Sequence, residues 1–182
     1  EEHNFFGKHS GVEPEPHRWE HVVIASPDPA FTIHGWQQAA SGLAVVWATE
    51  NTREAIWDAL KRKEVYATTG DRPVVRVFAG FDFVPADLDR ADFAANGYAH
   101  GVPMGGDLAK APAGKNPVFM VYALRDPDGP NLDRIQIVKG WLDAKGGLHE
   151  RIYDVAVSGG RPVGADGRTR VSVGSTVDVE NA

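Results

Sequence analysis

The stretch KRKEVYATTG, residues 61–70, marks the point at which the predicted structure of the chain changes. Lys61, Arg62 and Lys63 suit the last turn of a helix, because the helix dipole favours positive charge at that end. EVYAT then predicts a short strand, and Thr-Thr-Gly is typical of a strand end followed by a turn. The stretch therefore predicts a helix that runs directly into a strand and then changes direction.

Upstream of this stretch lies the clearest helix of the sequence. Asn51 can cap it, and Glu54, three residues on, can reach back in a capping-box-like arrangement. Ile56 and Leu60 follow the spacing of one helical face. The apolar run GLAVVWATE before the helix predicts a buried strand over residues 43–48. Strand, helix and strand within about thirty residues match the size of a βαβ unit.

After Gly70 the apolar spacing changes from a helical period to a period of two. PVVRVFAGFDF predicts a strand over residues 74–79, and PVFMVYALRD, apolar on both faces, predicts a central strand. Residues 86–115 between them, rich in Gly, Ala, Asp and Pro, predict a long loop or several short pieces. DRIQIVKGWLD and ERIYDVAVSG predict a hairpin with Gly146 and Gly147 at its turn. We therefore expect an α+β fold, in which the strand, helix and strand are followed by an antiparallel, sandwich-like β-domain.

The composition restricts the kinds of partner. The 182 residues carry a formal net charge of −6, which disfavours nucleic-acid binding because phosphate recognition needs a basic surface. No apolar run approaches the ~18 residues of a membrane span, so we predict none. The absence of cysteine excludes disulfides and thiolate metal sites. Composition does not fix the compartment, and we favour a periplasmic or extracellular location over a cytoplasmic one.

The first 36 residues carry five of the seven histidines and four prolines, and they predict an irregular, functional loop region. Their side chains offer the nitrogen and oxygen ligands that Zn²⁺ or Mn²⁺ accepts. The candidate metal ligands are His9, Glu13, His17 and His21. For His17 and His21 we prefer the alternative of a solvated loop, because the preceding prolines disfavour a helix that would place both on one face.

Three other loops carry weaker candidate sites. Residues 68–70 could present backbone N–H groups to an anion, although a strand end and turn is the preferred interpretation. GVPMGGDL, residues 101–108, has neither the Gly-Lys-Ser/Thr of a P-loop nor the GxGxxG pattern. DPDGPNLD, residues 126–133, lacks the closing Glu of an EF-hand. We interpret all three as turns.

Four blocks of the sequence together resemble a known family. They are EEHNFFGKHSGVEPEPHRWE (1–20), SGLAVVWATENTREAIWDALKRKEVYATTG (41–70), GVPMGGDL (101–108) and LDRIQIVKGWLD (132–143). They resemble the bacterial domain-of-unknown-function family 3604, and through it the polymerase-and-histidinol-phosphatase superfamily of metal-dependent hydrolases. The resemblance runs across nearly the whole chain.

The resemblance implies a longer protein, whose early part is a distorted (β/α) barrel with His and Asp metal ligands. This sequence has neither the His-x-His nor the Asp-x-His motif of such barrels. It also begins with Glu, so we expect a processed product, a fragment or a trimmed chain. Residues 1–70 then resemble the C-terminal part of the barrel-like domain, and residues 71–182 a β-rich, sandwich-like domain. His9 lies in the block that resembles the rim of the metal site, and most ligands of a Zn, Mn or Mg ion would lie outside this chain.

Two hypotheses of function follow from the residues and the resemblance. In the first, the chain is the C-terminal portion of a metal-dependent, phosphoesterase-like hydrolase, in which metal-bound water is the nucleophile. In the second, it is a non-catalytic β-rich structural or binding module. Under both hypotheses we expect the chain alone to be inactive, and its partner to be the remainder of the parent chain or another copy of this chain.

Overall fold

The computed structural model describes residues 20–34 and 42–174 and divides into two compact units, residues 1–43 and 44–182. The described residues form two α-helices and nine short strands in small antiparallel sheets, which agrees with the predicted mixture of helix and strand. No barrel forms within these residues, so a barrel-like unit followed by a sandwich stays a prediction, as does a domain boundary after residue 70. Within the same residues, no helix combines the length and apolar character needed to cross a membrane.

The smaller unit contains one two-stranded ribbon in its described part. Strand β1, Val22–Ile24, pairs antiparallel with β2, Ile33–His34. A single turn of 3-10 helix, Pro29–Phe31, connects them. It begins at Asp28, whose carboxylate accepts the N–H of Ala30 at 3.0 Å.

The larger unit begins with the predicted strand, helix and strand. Strand β3 is Ala44–Val46, helix α1 is Arg53–Lys61, and β4 is Val65–Ala67. The order is confirmed, but the two strands pair antiparallel, with Val45 opposite Tyr66, so the prediction of a βαβ unit is wrong in strand direction. Parallel strands need a crossover that returns the chain to the starting end of the sheet. Here the turn after α1 leads directly into β4, which runs alongside β3 in the opposite direction.

The N-terminus of α1 differs by one residue from the prediction. Thr52, not Asn51, is the N-cap, and its Oγ1 accepts the N–H of Ala55 at 3.3 Å. A Thr hydroxyl can satisfy one of the free N–H groups of the first turn as Asn can, so the sequence pattern allowed either register. Glu54 lies in this first turn, where a negative charge favours the helix dipole.

The abrupt end of α1 has a local cause. Lys63 adopts a left-handed backbone with φ of 61°, at the position that glycine usually takes after a helix. Its N–H donates to the Leu60 carbonyl, and the Glu64 N–H donates to the Ala59 carbonyl, both at 3.0 Å. These two hydrogen bonds are those of a Schellman motif, which satisfies the last carbonyls and reverses the chain. Glu64 thereby enters the interior immediately before β4.

The loop GVPMGGDL packs against this turn. Gly105 has φ of 83°, and a Cβ at this position would lie 2.1 Å from the Lys63 carbonyl oxygen. A larger residue therefore cannot fit unless the backbone moves. The Gly106 N–H donates to the Pro103 carbonyl at 3.0 Å and closes a tight turn. The loop is thus a tight turn that packs against the end of α1. Its lack of P-loop residues predicted a turn rather than a phosphate site.

A three-stranded antiparallel sheet follows. Its strands are β5 (Val74–Gly80), β6 (Gly101–Pro103) and β7 (Val118–Leu124), in the order β6-β5-β7. Among the described strands β7 pairs only with β5, so the prediction of a central strand is wrong for β7. Its two apolar faces have different surroundings, since Met120 is buried in the core whereas Phe119 is 50% exposed beside an open cleft.

The core of the larger unit lies on one face of β5. Phe78 is fully buried there and packs with Phe83 and Met120. Helix α2, Phe93–His100, covers this cluster through its first turn. The helix lies within residues 86–115, which were predicted to form a long loop or short pieces. Its sequence FAANGYAH has no helical apolar stripe, so periodicity did not reveal it.

Replacing Gly97 with Ala should destabilise the protein, although alanine is the better helix former. A Cβ at Gly97 would lie 2.4 Å from two ring carbons of Phe78. Helix propensity favours Ala by about 1 kcal/mol, but overpacking a core costs about 1–3 kcal/mol. The Phe78 ring is enclosed by Phe93 and Tyr98 at centroid distances of 5.8 and 5.1 Å, so it cannot easily move. Urea unfolding of the variant measures the difference.

The matched control is Ala99→Gly, at an exposed position of the same helix. It should lose about 0.5–1 kcal/mol through helix propensity alone. If Gly97→Ala were instead more stable than the unmutated 182-residue chain, the close contact between α2 and Phe78 would be wrong.

The predicted hairpin is confirmed. Strand β8, Arg134–Leu142, pairs antiparallel with β9, Leu148–Val157, over their whole length with one irregularity near the base. Gly146 has φ of 82° in the connecting turn, which explains the glycine at this position. The Asp143 carboxylate holds the turn by accepting two backbone N–H groups, including that of Gly147 at 2.8 Å.

The same carboxylate also pairs with His149 Nε2 at 2.8 Å. The hydrogen bond to His149, followed by those to the backbone N–H groups of Gly147 and Lys145, lowers the pKa of Asp143 below its ordinary value of 3.8. A depressed pKa means that the ionised form is favoured by the fold. This support of the turn is therefore complete above pH 3.8 and is lost only as acid protonates the folded carboxylate below that value.

Candidate functional site

The predicted metal ligands fall mostly outside the described residues. His9, Glu13 and His17 lie in the part that the structure does not describe, and His21 lies half-buried directly before β1. Within residues 20–34 and 42–174, no three His, Asp or Glu side chains lie close enough together to hold a metal ion. The metal site therefore stays a prediction.

The structure instead brings together a buried charge cluster in the larger unit. Glu64 is 2% exposed. Its Oε1 accepts from Arg76 Nη2 at 3.2 Å and from the Tyr98 hydroxyl. Its Oε2 accepts from Arg62 Nη2 at 3.5 Å. We call Trp47, Arg62, Glu64, Arg76 and Tyr98 the Glu64 cluster.

The Glu64 cluster draws its members from four pieces of the chain, since Arg62 and Glu64 share the turn at the end of α1. The Schellman turn places Glu64, β5 places Arg76, and α2 places Tyr98. Trp47 follows β3, and its Nε1 donates to the Val75 carbonyl at 3.1 Å. The Arg76 guanidinium lies 4.1 Å from the centre of the Trp47 ring, a distance typical of a cation–π contact. The cluster therefore joins the segment of β3, α1 and β4 to the three-stranded sheet of β5, β6 and β7.

The electrostatics of the cluster favour a closed, structural arrangement. Arg76 Nη2 also donates to the Tyr98 hydroxyl at 2.6 Å, so Glu64, Arg76 and Tyr98 form a closed triangle. Burial, and then the hydrogen bond to Glu64, raise the pKa of the Tyr98 phenol above its ordinary value of 10.0, so it remains a proton donor at neutral pH. A carboxylate offers about four acceptor sites, and three are occupied here. The Glu64 carboxylate is thus engaged by its neighbours rather than open to a substrate.

A second buried carboxylate is engaged in the same way. Asp154 on β9 accepts from Gln136 Nε2 at 2.6 Å and from the Thr169 N–H at 2.7 Å. Arg134 and Arg168 lie 3.5 and 3.4 Å from its Oδ2. The hydrogen bonds from Gln136 and then Thr169 lower the pKa of Asp154 below its ordinary value of 3.8. This carboxylate fastens the segment that follows the hairpin onto β9.

The predicted turn at DPDGPNLD is also confirmed. The Asp126 carboxylate accepts the N–H groups of Arg72 and Asp128 at 2.8 and 3.1 Å. The Gly129 N–H donates to the Asp126 carbonyl at 3.1 Å and closes the turn. These hydrogen bonds, that from Arg72 first, lower the pKa of Asp126. The carboxylate therefore stabilises the turn and joins it to the residue Arg72 that precedes β5.

The Glu64 cluster was not predicted from the sequence, although one signal of it is present there. Arg76 interrupts the apolar strand PVVRVF, and a period of two places it on the same face as Phe78, which lies in the core. An arginine on a buried face requires a carboxylate partner. The identity of that partner depends on contacts between residues distant in the chain, so the sequence alone did not single out Glu64.

A comparison with protein families matches residues 1–182 to a family described as "Protein of unknown function (DUF3604)". The match spans both compact units and all four sequence blocks quoted above. No curated protein and no solved structure matches the chain. The residues of the chain itself must therefore support any assignment of function.

Proposed function

The chain belongs to the DUF3604 family, and from that premise we propose that it is the C-terminal portion of a metal-dependent, phosphoesterase-like hydrolase of the polymerase-and-histidinol-phosphatase superfamily. In this proposal, residues 1–70 complete a barrel-like catalytic domain and residues 71–182 form a sandwich-like scaffold beside it. The resemblance of residues 1–20 and 41–70 to the end of such a barrel supports the assignment.

The closed Glu64 cluster is the observation that carries the scaffold role. Glu64 and Asp154 are both shielded from solvent, and both accept hydrogen bonds from side chains or backbone of this chain. Buried ionisable groups at a catalytic centre normally face a cleft and a substrate. Here they fasten α1, the central sheet and the hairpin to their neighbours. We therefore propose that the described part positions and supports a centre built mainly by other residues.

The metal ligands of this proposal come from the N-terminal block and from outside the chain. His9 is the first candidate, with Glu13, His17 and His21 behind it, and Zn, Mn or Mg would be the ion. When bound, such an ion lowers the pKa of its water so that hydroxide can attack the substrate. The described residues bring no three ligands together, so no step of the reaction is assigned to their side chains.

The alternative function is a non-catalytic binding module. It is favoured by one face of the hairpin, on which large apolar side chains are exposed. Val138, Leu142 and Leu148 share this face and are 57, 67 and 86% exposed. Exposed apolar patches of this kind usually mark an interaction surface. The partner in this alternative is the remainder of the parent chain. Sedimentation of the isolated chain distinguishes this partner from a second copy, because self-association would indicate the second copy.

One experiment separates the two functions. The 182-residue chain and a longer protein that contains it are assayed for bound metal and for turnover of a phosphomonoester and a phosphodiester with added Mn²⁺ or Zn²⁺. Under the proposal, the longer protein binds metal and turns over substrate, and the chain alone does neither, because one loop ligand completes a centre but rarely builds one.

Histidine variants of the longer protein complete this test. His9→Ala should lower both metal content and turnover, whereas His100→Ala, at the end of α2, should change neither. An inactive, metal-free longer protein would favour the binding module. Metal-dependent turnover by the isolated chain that His9→Ala abolishes would overturn the assignment of the chain as a supporting portion.

A further inference from the structure

An open cleft lies between the start of β7 and the hairpin of β8 and β9. Its volume is about 630 Å³, within the range of small-molecule sites. The walls include Pro117 and Phe119 from the β7 side and Ile137, Lys139 and Tyr153 from the hairpin. The register places Ile137 opposite Tyr153 and Lys139 opposite Arg151, so all four share one face of the hairpin.

Two positive charges face each other beside this cleft. Lys139 and Arg151 are directly opposed across the β8–β9 ladder, and like charges in that position repel. Neither cation has a carboxylate within 4.0 Å among the residues that the structure describes. The Asp143 carboxylate, in the hairpin turn, is engaged by His149. As far as residues 20–34 and 42–174 are concerned, the hairpin therefore carries an unneutralised pair of cations.

Aromatic rings hold the two cations at the surface. Lys139 Nζ lies 5.1 Å from the centre of the Trp141 ring, and Arg151 Cζ lies 4.9 Å from that of Tyr153. Cation–π contacts leave the positive charge unneutralised, so an anion can still be bound. Phe119, half exposed on the opposite wall, adds a flat apolar surface. The positive charge of Lys139 in the wall, with Arg151 opposite it in the hairpin, thus adjoins the apolar surface of the cleft.

We propose that this cleft binds a small organic anion with an aromatic body. Its ring would occupy the apolar cleft beside Phe119 and Tyr153, and its carboxylate, sulfate or phosphate group would lie against Lys139 and Arg151. Such a ligand removes the repulsion between the two cations and covers apolar surface at the same time. The net charge of −6 disfavours a polyanion, so a ligand with one anionic group fits best. The site is independent of the hydrolytic function proposed above.

Calorimetric titration of the full 182-residue chain at low ionic strength tests this site with three probes. The probe 2-naphthalenesulfonate has both the ring and the charge, 2-naphthol has only the ring at pH 7, and methanesulfonate has only the charge. We expect the first probe to bind measurably more tightly than the other two. Added salt should weaken its binding, because exposed ion pairs are screened.

Variants assign the binding to the named residues. The double variant Lys139→Gln with Arg151→Gln should weaken 2-naphthalenesulfonate binding roughly fivefold, since each exposed ion pair contributes modestly. Asn116→Trp places a large side chain on the cleft wall and should weaken binding without changing any charge. Lys145→Gln removes one positive charge from the hairpin turn, half of what the double variant removes, and should leave the affinity unchanged. Circular dichroism melting should show all three variants folded.

Three results would overturn the proposal. They are equal binding of 2-naphthol and 2-naphthalenesulfonate, a loss of affinity in Lys145→Gln that equals the double variant's loss per charge removed, and full affinity in Asn116→Trp. The first would show that the charge is not recognised, the second that only net charge matters, and the third that the ligand binds elsewhere. Because Asn116→Trp and the double variant alter different walls, a folding failure of one leaves the other as a test.

Discussion

Replacing Arg76 with Met should lower the free energy of unfolding by about 3 kcal/mol, the lower end of the range for breaking a buried ion pair. Arg76 is only 14% exposed, and its partner Glu64 is 2% exposed. Without Arg76, the Glu64 carboxylate stays buried with one fewer charged partner, and that desolvated charge dominates the cost. Arg62 and Tyr98 still contact the carboxylate, which keeps the loss near the lower end. Guanidinium unfolding measures the change.

A double variant distinguishes the destabilisation caused by an unpaired buried charge from that caused by lost packing. Glu64→Leu combined with Arg76→Met removes both charges and should be more stable than Arg76→Met alone, because no buried charge remains without its partner. Arg90→Met breaks an exposed ion pair with Asp92 and should have a much smaller effect. If Arg76→Met were no worse than Arg90→Met, the Glu64 cluster would not stabilise the fold.

Replacing Phe78 with Ala should cost about 3–5 kcal/mol, the range for truncating a buried aromatic residue. Phe78 has no exposed surface and packs edge-on against Phe93 and Tyr98. Few apolar side chains are fully buried in the described part of the larger unit, so little else can fill the space. Thermal and urea unfolding both report this loss.

Leu148→Ala is the matched control for Phe78→Ala. Leu148 is 86% exposed, so its truncation should change stability by less than about 0.5 kcal/mol. Similar losses for Phe78→Ala and Leu148→Ala would mean that the core does not lie on this face of β5. Phe78 and Arg76 both contact Tyr98, so their effects should not simply add.

Local patterns predicted the elements whose structure depends on nearby residues. The α1 periodicity, the β5 alternation and the glycines between β8 and β9 each encode one element, and each element is present. The antiparallel pairing of β3 with β4 and the edge position of β7 depend on which strands meet in space. Long-range packing decides which strands pair, and the periodicity of a single strand carries no information about its partner.

The candidate sites show the same division. The hairpin and the Asp126 turn follow from short motifs, so they were predictable. The Glu64 cluster depends on residues 34 positions apart, from Glu64 to Tyr98, and α2 itself was unpredicted. The cleft beside Phe119 forms between two sheets and has no sequence motif. The metal ligands, His9 among them, remain a prediction, since most of them lie outside the described residues.

The turn at Lys63 also determines how this part of the protein can open. Glu64 uses its N–H to close the end of α1 and its carboxylate to hold Arg76 on β5. Helix ends ordinarily fray at little free-energy cost, but here fraying would also disturb the ion pair. A nine-residue helix is too short to persist alone in water. Because of this linkage, we expect α1, β4 and β5 to open together as one cooperative unit, so that amide protons of the helix exchange as slowly as those of β5.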